Sequence, residues 1–346
     1  GSGSEYTEIP GVLTFRGNNA RSAPSFGTAN ITDKKLSIAW THDIGAVSAD
    51  GSYFPGAGWT GQPLLVKWPA DTKKAMKLTA AQVADPAFVE VVYPVFDGSV
   101  YRLSLADGSV TRPKIEGKWG FKGTGSIDPR GYPLLYAGQG LNENGNEKGP
   151  WQYHVFDLIQ NKQVAKISGT DDVSHRQDPV GWGAFDSSAL IDRRSDTLIE
   201  PGENGIVYKA KLNATFDAKA GKVSVKPELT KMTYRTPVSR QYGIESSAAA
   251  WKNLMWATDN DGNMICWDAR TLEIVWARAL GDNADSTPVL DDSTGRPFLF
   301  TGNSVGWRGA ERRDQVANLR KIDGLTGDVV WQYDLPAYYD FHVKGG

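Results

Sequence analysis

The 346-residue chain reads as an all-β protein, a β-propeller of four-stranded blades with about five blades present. Three observations predict this. The first is composition: 38 glycines, 18 prolines, 12 tryptophans and 13 tyrosines stand beside only 4 methionines, a balance of turns and large rigid side chains that favours short strands over long helices. The second is a strand, turn and strand at residues 127–138 that aligns without a gap on 191–202, returns at 290–302 and recurs in shorter form at 250–257; each copy is an apolar run that meets a polar turn and comes back. The third is a closing pattern, in which 272–281 matches 36–45 and 323–331 ends the same way, so that Trp276, Trp40 and Trp331 share one position of the repeat. Four-stranded units recurring every ~40–60 residues, with no helical stretch between them, are the signature of propeller blades.

Taken in order, Gly1-Ser2-Gly3-Ser4 is a cloning scar and is set aside. Residues 5–35 form an N-terminal extension, and 36–346 form a single propeller domain with blades near 59–117, 121–168, 182–236, 244–281 and 284–335. Asp97-Gly98, Asn204-Gly205 and Asp261-Gly262 supply tight hairpins inside the blades. Residues 36–45 read as an orphan closing strand, because no strands of their own blade precede them. Propellers seal the circle to remove bare sheet edges, so an orphan closing strand predicts a truncated or open ring of a larger propeller.

The pattern from Asp323 through Thr326-Gly327 to Trp331, with the Asp-Gly hairpins, resembles the quinoprotein-type, or pyrroloquinoline-quinone-like, β-propeller repeat over roughly residues 36–346. The stretch Phe15-Arg16-Gly17-Asn18-Asn19-Ala20-Arg21 and the later Trp59-Thr60-Gly61-Gln62-Pro63 are similar to secreted bacterial members of that family. The resemblance implies an extracytoplasmic protein (secreted, periplasmic or at the cell surface) whose signal peptide has been removed, with a lipid anchor before Glu5 allowed. It is shared by quinone-dependent dehydrogenases and by non-catalytic scaffolds, so it implies architecture rather than chemistry.

Charge and motif content exclude several classes. With 38 basic and 40 acidic residues the formal charge is −2, and no apolar run of about 18 residues and no block of like charges occurs, so neither a membrane span nor a nucleic-acid partner is expected. Cys266 is the single cysteine and sits in an apolar run, which predicts a buried thiol. His42, His154, His175 and His342 are scattered, without metal-ligand spacing. Asp259-Asn260-Asp261-Gly262-Asn263 begins like a calcium loop, but Arg270 stands at the twelfth position, so it reads as a hairpin. Quinone enzymes of the resembled family place a vicinal cysteine pair, a calcium ion, a catalytic aspartate and a tryptophan platform beside the quinone. One cysteine cannot make that pair, so pyrroloquinoline quinone is not expected and no catalytic residue is assigned.

One constellation remains. Aligning the blades puts Thr60, Lys122, Asp186, Glu245 and Asp285 at one position just before the innermost strand, followed by small residues that include Ser187, Ser246 and Ser286. Equivalent positions in a propeller form a ring at one mouth of the axis. Asp186, Glu245 and Asp285 together suit a hard cation such as Ca²⁺, with Lys122 as the competing internal counter-ion; in a purely structural role the carboxylates accept hydrogen bonds from neighbouring blades. Trp40, Trp276 and Trp331 are expected between blades, whereas Trp59, Trp151, Trp182 and Trp307 lie in glycine-rich connections and are candidate ligand platforms. Two functions follow: a non-catalytic extracytoplasmic binding or scaffold propeller that holds a protein, peptide or glycan at one face or the channel mouth, or a quinone- or metal-dependent oxidoreductase with part of its site elsewhere.

Overall fold

The computed structural model describes residues 5–58, 61–170, 181–240, 243–305 and 316–336. Five four-stranded antiparallel sheets succeed one another along the chain as the blades of a β-propeller. Numbered from the N-terminus and taken from the axis outward, blade 2 is Ser126–Ile127, Leu134–Gly138, Gln152–Asp157 and Lys162–Ser168. Blade 3 is Leu190–Asp192, Thr197–Pro201, Ile206–Lys211 and Glu228–Thr233, with a hairpin of Thr215–Asp217 and Lys222–Ser224 inserted before its last strand. Blade 4 is Ala249–Trp251, Leu254–Thr258, Asn263–Asp268 and Glu273–Ala279; blade 5 is Val289–Asp291, Phe298–Asn303, Val316–Asp323 and Val329–Pro336. Middle strands such as Leu134–Gly138 are covered on both faces and read as continuous apolar runs, while the outer strand Glu273–Ala279 is largely exposed.

Blade 1 departs from the pattern. Its strands Leu64–Val66, Glu90–Pro94 and Val100–Ser104 are interrupted by two short helices, Ala70–Ala75 and Ala80–Ala84, the second opened by a Thr79–Gln82 capping box. Outward, only isolated bridges from Val100 to Ile115 and from Leu103 to Val110 complete it. Inward, it gains an extra strand, Gly11–Val12, paired to Leu65 and Val66. A Cβ on Gly11 would lie 2.2 Å from the Leu65 carbonyl oxygen, so the close approach requires glycine there. No described helix is long and apolar enough to cross a membrane.

That inner strand belongs to a segment that threads the axis. The Pro10 carbonyl accepts from Lys67 N, Leu13 from Ile127 N, Asn19 from Ala250 N and Ala20 from Leu290 N, while Ile191 N donates to the Tyr6 hydroxyl. Residues 6–21 therefore bond to the inner strands of all five blades. Arg21, with no solvent exposure, is the densest junction: Nε donates to Ala248 O, Nη1 to Thr14 Oγ1 and Phe15 O, and Nη2 to Ser188 O. Thr14, Ser126 and Ser188 close a triangle of hydroxyls 2.9 to 3.2 Å apart. The N-terminal stretch read as an extension is thus the hub of the wheel in its first part, and the channel expected to be lined by inner strands is filled by the chain itself.

The blades join by continuous packing, one cluster spanning blades 1 to 3, a second blades 3 and 4, and a third blades 4 and 5. Trp276 lies between blades, its indole donating to Gly324 O and lying against Gly327, where a Cβ would come within 2.7 Å of the ring. Trp40 repeats the arrangement on blade 1, donating to Leu105 O above Gly108, where a Cβ would come within 2.5 Å. Residues 36–45 nevertheless form no strand, which corrects the expected closing strand: Leu36 and Ile38 are 88% and 81% exposed, and extended chain becomes a strand only when a ladder partner satisfies its backbone. Trp331 has the register of Trp276, opposite Lys321 as Trp276 is opposite Cys266, but its outward face is solvent-exposed alongside Tyr333 and Leu335.

Candidate functional site

Four ring residues sit four positions ahead of an inner strand: Lys122 before Ser126–Ile127, Asp186 before Leu190–Asp192, Glu245 before Ala249–Trp251 and Asp285 before Val289–Asp291. Two repeated hydrogen bonds set that register. The residue preceding each ring position donates to the second-strand end of the previous blade: Phe121 N to Val95 O, Phe185 N to Gln139 O, Ile244 N to Gly202 O and Ala284 N to Asp259 O. Within each blade, a residue one or two positions past the second strand returns a bond to the chain two residues ahead of the ring position, as Gly140 N does to Gly120 O, Glu203 N to Ala184 O, Asn260 N to Gly243 O and Ser304 N to Asn283 O. Repetition in sequence thus becomes convergence in space.

Of the ring side chains, Lys122, Asp186 and Glu245 lie together at one end of the axis. Lys122 Nζ is in direct contact with the Asp186 carboxylate and 3.8 Å from Glu245 Oε1. Glu203, which the sequence reading missed, joins them: carboxylate oxygens of Asp186, Glu203 and Glu245 lie within 4.8 Å of one another. Glu203 occupies the Gly202-Glu203-Asn204-Gly205 hairpin, equivalent to Asn260 in blade 4. The Asn-Gly signal marked that turn, and the residue just before it turns out to face the cluster. Asp285 stands at the rim with its carboxyl turned inward toward Glu245, and Asn283 Nδ2 donates to it at 3.4 Å.

Burial and like charge govern the electrostatics. Burial opposes the Lys122 ammonium, but Asp186, Glu245 and Glu203 outweigh it and hold its pKa well above the ordinary lysine range. Asp186 is pushed up to about 7, by burial first; Lys122 opposes the shift and Glu203 adds to it. The Glu245 carboxyl is raised well above its usual range by burial and then by Glu203. The single ammonium of Lys122 offsets only part of the burial and mutual repulsion of these carboxyl groups, which hold the pKa values of Asp186 and Glu245 up.

The serine hydroxyls have other work. Ser187 Oγ donates to Ser246 O across a blade boundary. Ser246 Oγ bonds Thr258 O and accepts from Thr258 N, and Ser286 Oγ does the same with Gly302. The neighbouring hydroxyls latch blade to blade, Gln62 N donating to Thr124 Oγ1, Ser188 N to Ser247 Oγ and Ser247 N to Thr287 Oγ1. Ser187 therefore ties blade 3 to blade 4, whereas Ser246 and Ser286 bond within their own blades.

Above the charge cluster opens a cavity of about 660 Å³. Lys122, Glu203 and Glu245 reach into it from below, and Trp151 and Trp182 form one wall with ring centroids 4.5 Å apart. The hairpin of Ala46–Ala49 and Ser52–Pro55 contributes Ala49, Asp50 and Phe54 opposite. It is pinned to the turn of blade 2, with Gly145 N donating to Ser48 O and Asp50 N to Glu143 Oε2. Of the tryptophans expected as platforms, Trp151 and Trp182 thus stand together beside the ring. Trp59, Trp307 and the fifth ring position, Thr60, lie outside the described residues. The Asp259 turn is a hairpin, Asp259 Oδ1 accepting from the backbone of Asp261 and Asn263.

No family model matches the chain, and no curated protein matches its sequence. Among solved structures the chain is similar to the WD40 β-propeller domain of Doa1, at 10% identity with a TM-score of 0.44, over 72% of this chain and 66% of that one.

Proposed function

We propose that this propeller is a non-catalytic, extracytoplasmic binding protein of the quinoprotein-like class, and that it takes a peptide, protein segment or glycan into the cavity at the ring-bearing mouth of its axis. The observation that carries the reading is the meeting of two unlike surfaces in one cavity, the Lys122–Glu203–Glu245 floor and the Trp151–Trp182 wall, within a volume of about 660 Å³. Ligand sites combine an apolar lining with a few convergent polar groups, at volumes of ~300–1,000 Å³. The axis itself is filled by residues 6–21, so a ligand enters this funnel and does not pass through the wheel. The extracytoplasmic placement and the class rest on the repeat and on the N-terminal motif.

The experiment is capture on glycan and peptide arrays by the unmodified protein, by Trp182→Ala and by Glu245→Gln, all checked for native circular dichroism. Ligands retained by the unmodified protein and lost by both variants support the axial cavity. Retention that neither substitution changes overturns it and moves the search to other faces of the blades.

A further inference from the structure

Resting on that cavity as the binding site, we infer that its ligand is an uncharged carbohydrate, which lays the face of a sugar ring on Trp182 and meets the charged lining with hydroxyl groups. The first observation is the sign of that lining. Ammonium and carboxyl groups face the same space in pairs, Lys122 with Glu245 at 3.8 Å on the floor and Lys148 with Glu143, both partly exposed, at 3.1 Å. A ligand with net charge of either sign meets a group of its own sign there, and pairing with one partner separates it from the other. A hydroxyl group donates one hydrogen bond and accepts two, so it gives its proton to a carboxyl oxygen and accepts from the neighbouring ammonium while the pair stays intact. A sugar carries several such groups on one small frame.

The second observation is the aromatic wall, which is independent of the charges. Trp182 is half-buried and stands against the buried Trp151, ring centroids 4.5 Å apart, so its indole is held in place with part of its surface in the cavity. Phe54, also half-buried, lines the opposite side. The electron-rich face of an indole attracts the C–H groups on the flat of a pyranose ring and leaves the hydroxyl groups, which project from its edge, free to reach polar partners. An apolar wall above a polar floor thus fits a molecule that is apolar on its face and polar round its rim.

The third observation separates a sugar from a peptide. An extended peptide gains affinity by adding its main chain to a free strand edge. Beside the cavity those groups are already spent: Gly145 N donates to Ser48 O, Ser48 N to Asn144 Oδ1 and Asp50 N to Glu143 Oε2, while Gly149 N donates to Asn142 O and Asn142 Nδ2 returns a bond to Gly149 O. Residues 6–21 fill the axis beneath, so the cavity receives the end of a molecule and not a chain that runs through. A peptide ends in a charge, whereas the non-reducing end of a glycan is neutral.

The test is isothermal titration of the whole chain with neutral trisaccharides (cellotriose, maltotriose, mannotriose and tri-N-acetylchitotriose), with two charged ones (the deacetylated chitosan trimer and trigalacturonate) and with the capped peptide N-acetyl-glycyl-tyrosyl-glycinamide. At least one neutral trisaccharide is expected to bind, tenfold or more tighter than either charged one, with tenfold losses in Trp182→Ala and in Glu245→Gln. Its affinity should change by less than about twofold when sodium chloride is raised from ~50 to ~500 mM, because no net charge is brought to the site. The methyl glycoside of the tightest binder, compared with the free sugar, separates the end of a longer glycan from a free oligosaccharide as the source. If the charged trisaccharides bind as tightly as the neutral ones, or no neutral sugar binds at millimolar concentration, the carbohydrate inference is overturned while the cavity reading stands on its own array test. If the capped peptide binds in place of every neutral sugar and Trp182→Ala abolishes it, the cavity is right and the ligand class wrong. If sugar binding ignores both substitutions, the sugar lies elsewhere and the inference fails; if array capture ignores them too, the cavity reading fails with it.

Discussion

Replacing Arg21 by methionine should be among the costliest single changes away from the hydrophobic core, because Arg21 ties the axial segment to two blades at once. Its guanidinium makes four hydrogen bonds of 2.7 to 2.9 Å, three of them to main-chain carbonyls of Phe15, Ser188 and Ala248. Charged hydrogen bonds contribute about 1.5–3 kcal/mol each, so the gross loss is roughly 6–12 kcal/mol. Part of this returns, since burial pushes the Arg21 pKa down to about 10, and removing a charge so disfavoured relieves roughly 3 kcal/mol. Methionine also refills part of the volume with methylenes. Against that, Glu200, buried with neither carboxylate oxygen hydrogen-bonded, loses the positive charge that opposes its protonation. The expected net is about 3–5 kcal/mol, the usual size for breaking a buried charged network. At roughly 2 °C per kcal/mol for a chain of this size, the melting temperature should fall by about 6–10 °C. Urea unfolding followed by tryptophan fluorescence measures it, and Arg21→Lys, which keeps the charge but not the planar fork, should fall between the two. A midpoint within 1 kcal/mol of the unmodified protein at unchanged m-value would refute the idea that residues 6–21 are the hub.

Three further outcomes can be checked by urea unfolding or calorimetry. The Asp186 carboxyl, raised to about 7 in the fold from an ordinary value of 3.8, favours its protonated form, so its stabilising contribution is complete below pH 4 and is lost as pH rises through 7; the urea midpoint should drop between pH 5 and pH 8, more steeply in Lys122→Gln, and a flat profile would remove the cluster's protons from the argument. Trp276→Ala should cost about 2–3 kcal/mol, because the indole fills the joint between blades 4 and 5 and donates to Gly324 O. Trp331→Ala, at the same register on an open face, should cost under about 1 kcal/mol, and equal losses would contradict the packing assigned to Trp276. Gly123→Ala would bring a Cβ within 2.1 Å of the Asp186 carbonyl oxygen, forcing blades 2 and 3 apart at about 1–3 kcal/mol; a neutral result in differential scanning calorimetry would show that the ring has slack.

The amino-acid sequence by itself determined the blades and the angular positions around the axis. Alternation with period two, Asp-Gly and Asn-Gly turns and the recurring tryptophan are local signals, so Ile206–Lys211, Asn263–Asp268 and the hairpins joining them to their neighbours were legible from a few residues each. The ring was legible for the same reason: Lys122, Asp186, Glu245 and Asp285 hold one offset from a strand, and a periodic fold turns equal offsets into a circle.

What only the tertiary structure decided depends on contacts between residues far apart in the chain. Nothing local distinguishes a loose N-terminal extension from the plug of a wheel; Thr14 and Arg21 acquire their roles from Ser188 and Ala248, more than 160 positions on. Ser187, Ser246 and Ser286 have the hydroxyls a ligand site needs, and only the folded chain shows that Ser187 meets a carbonyl of the next blade while Ser246 and Ser286 bond within their own. Glu203 enters the cluster because a turn of blade 3 overhangs the ring, and residues 36–45 stay without a ladder although their pattern is that of a strand. A periodic sequence fixes which residues are equivalent; the contacts between units, which carry no period of their own, fix what equivalent residues do.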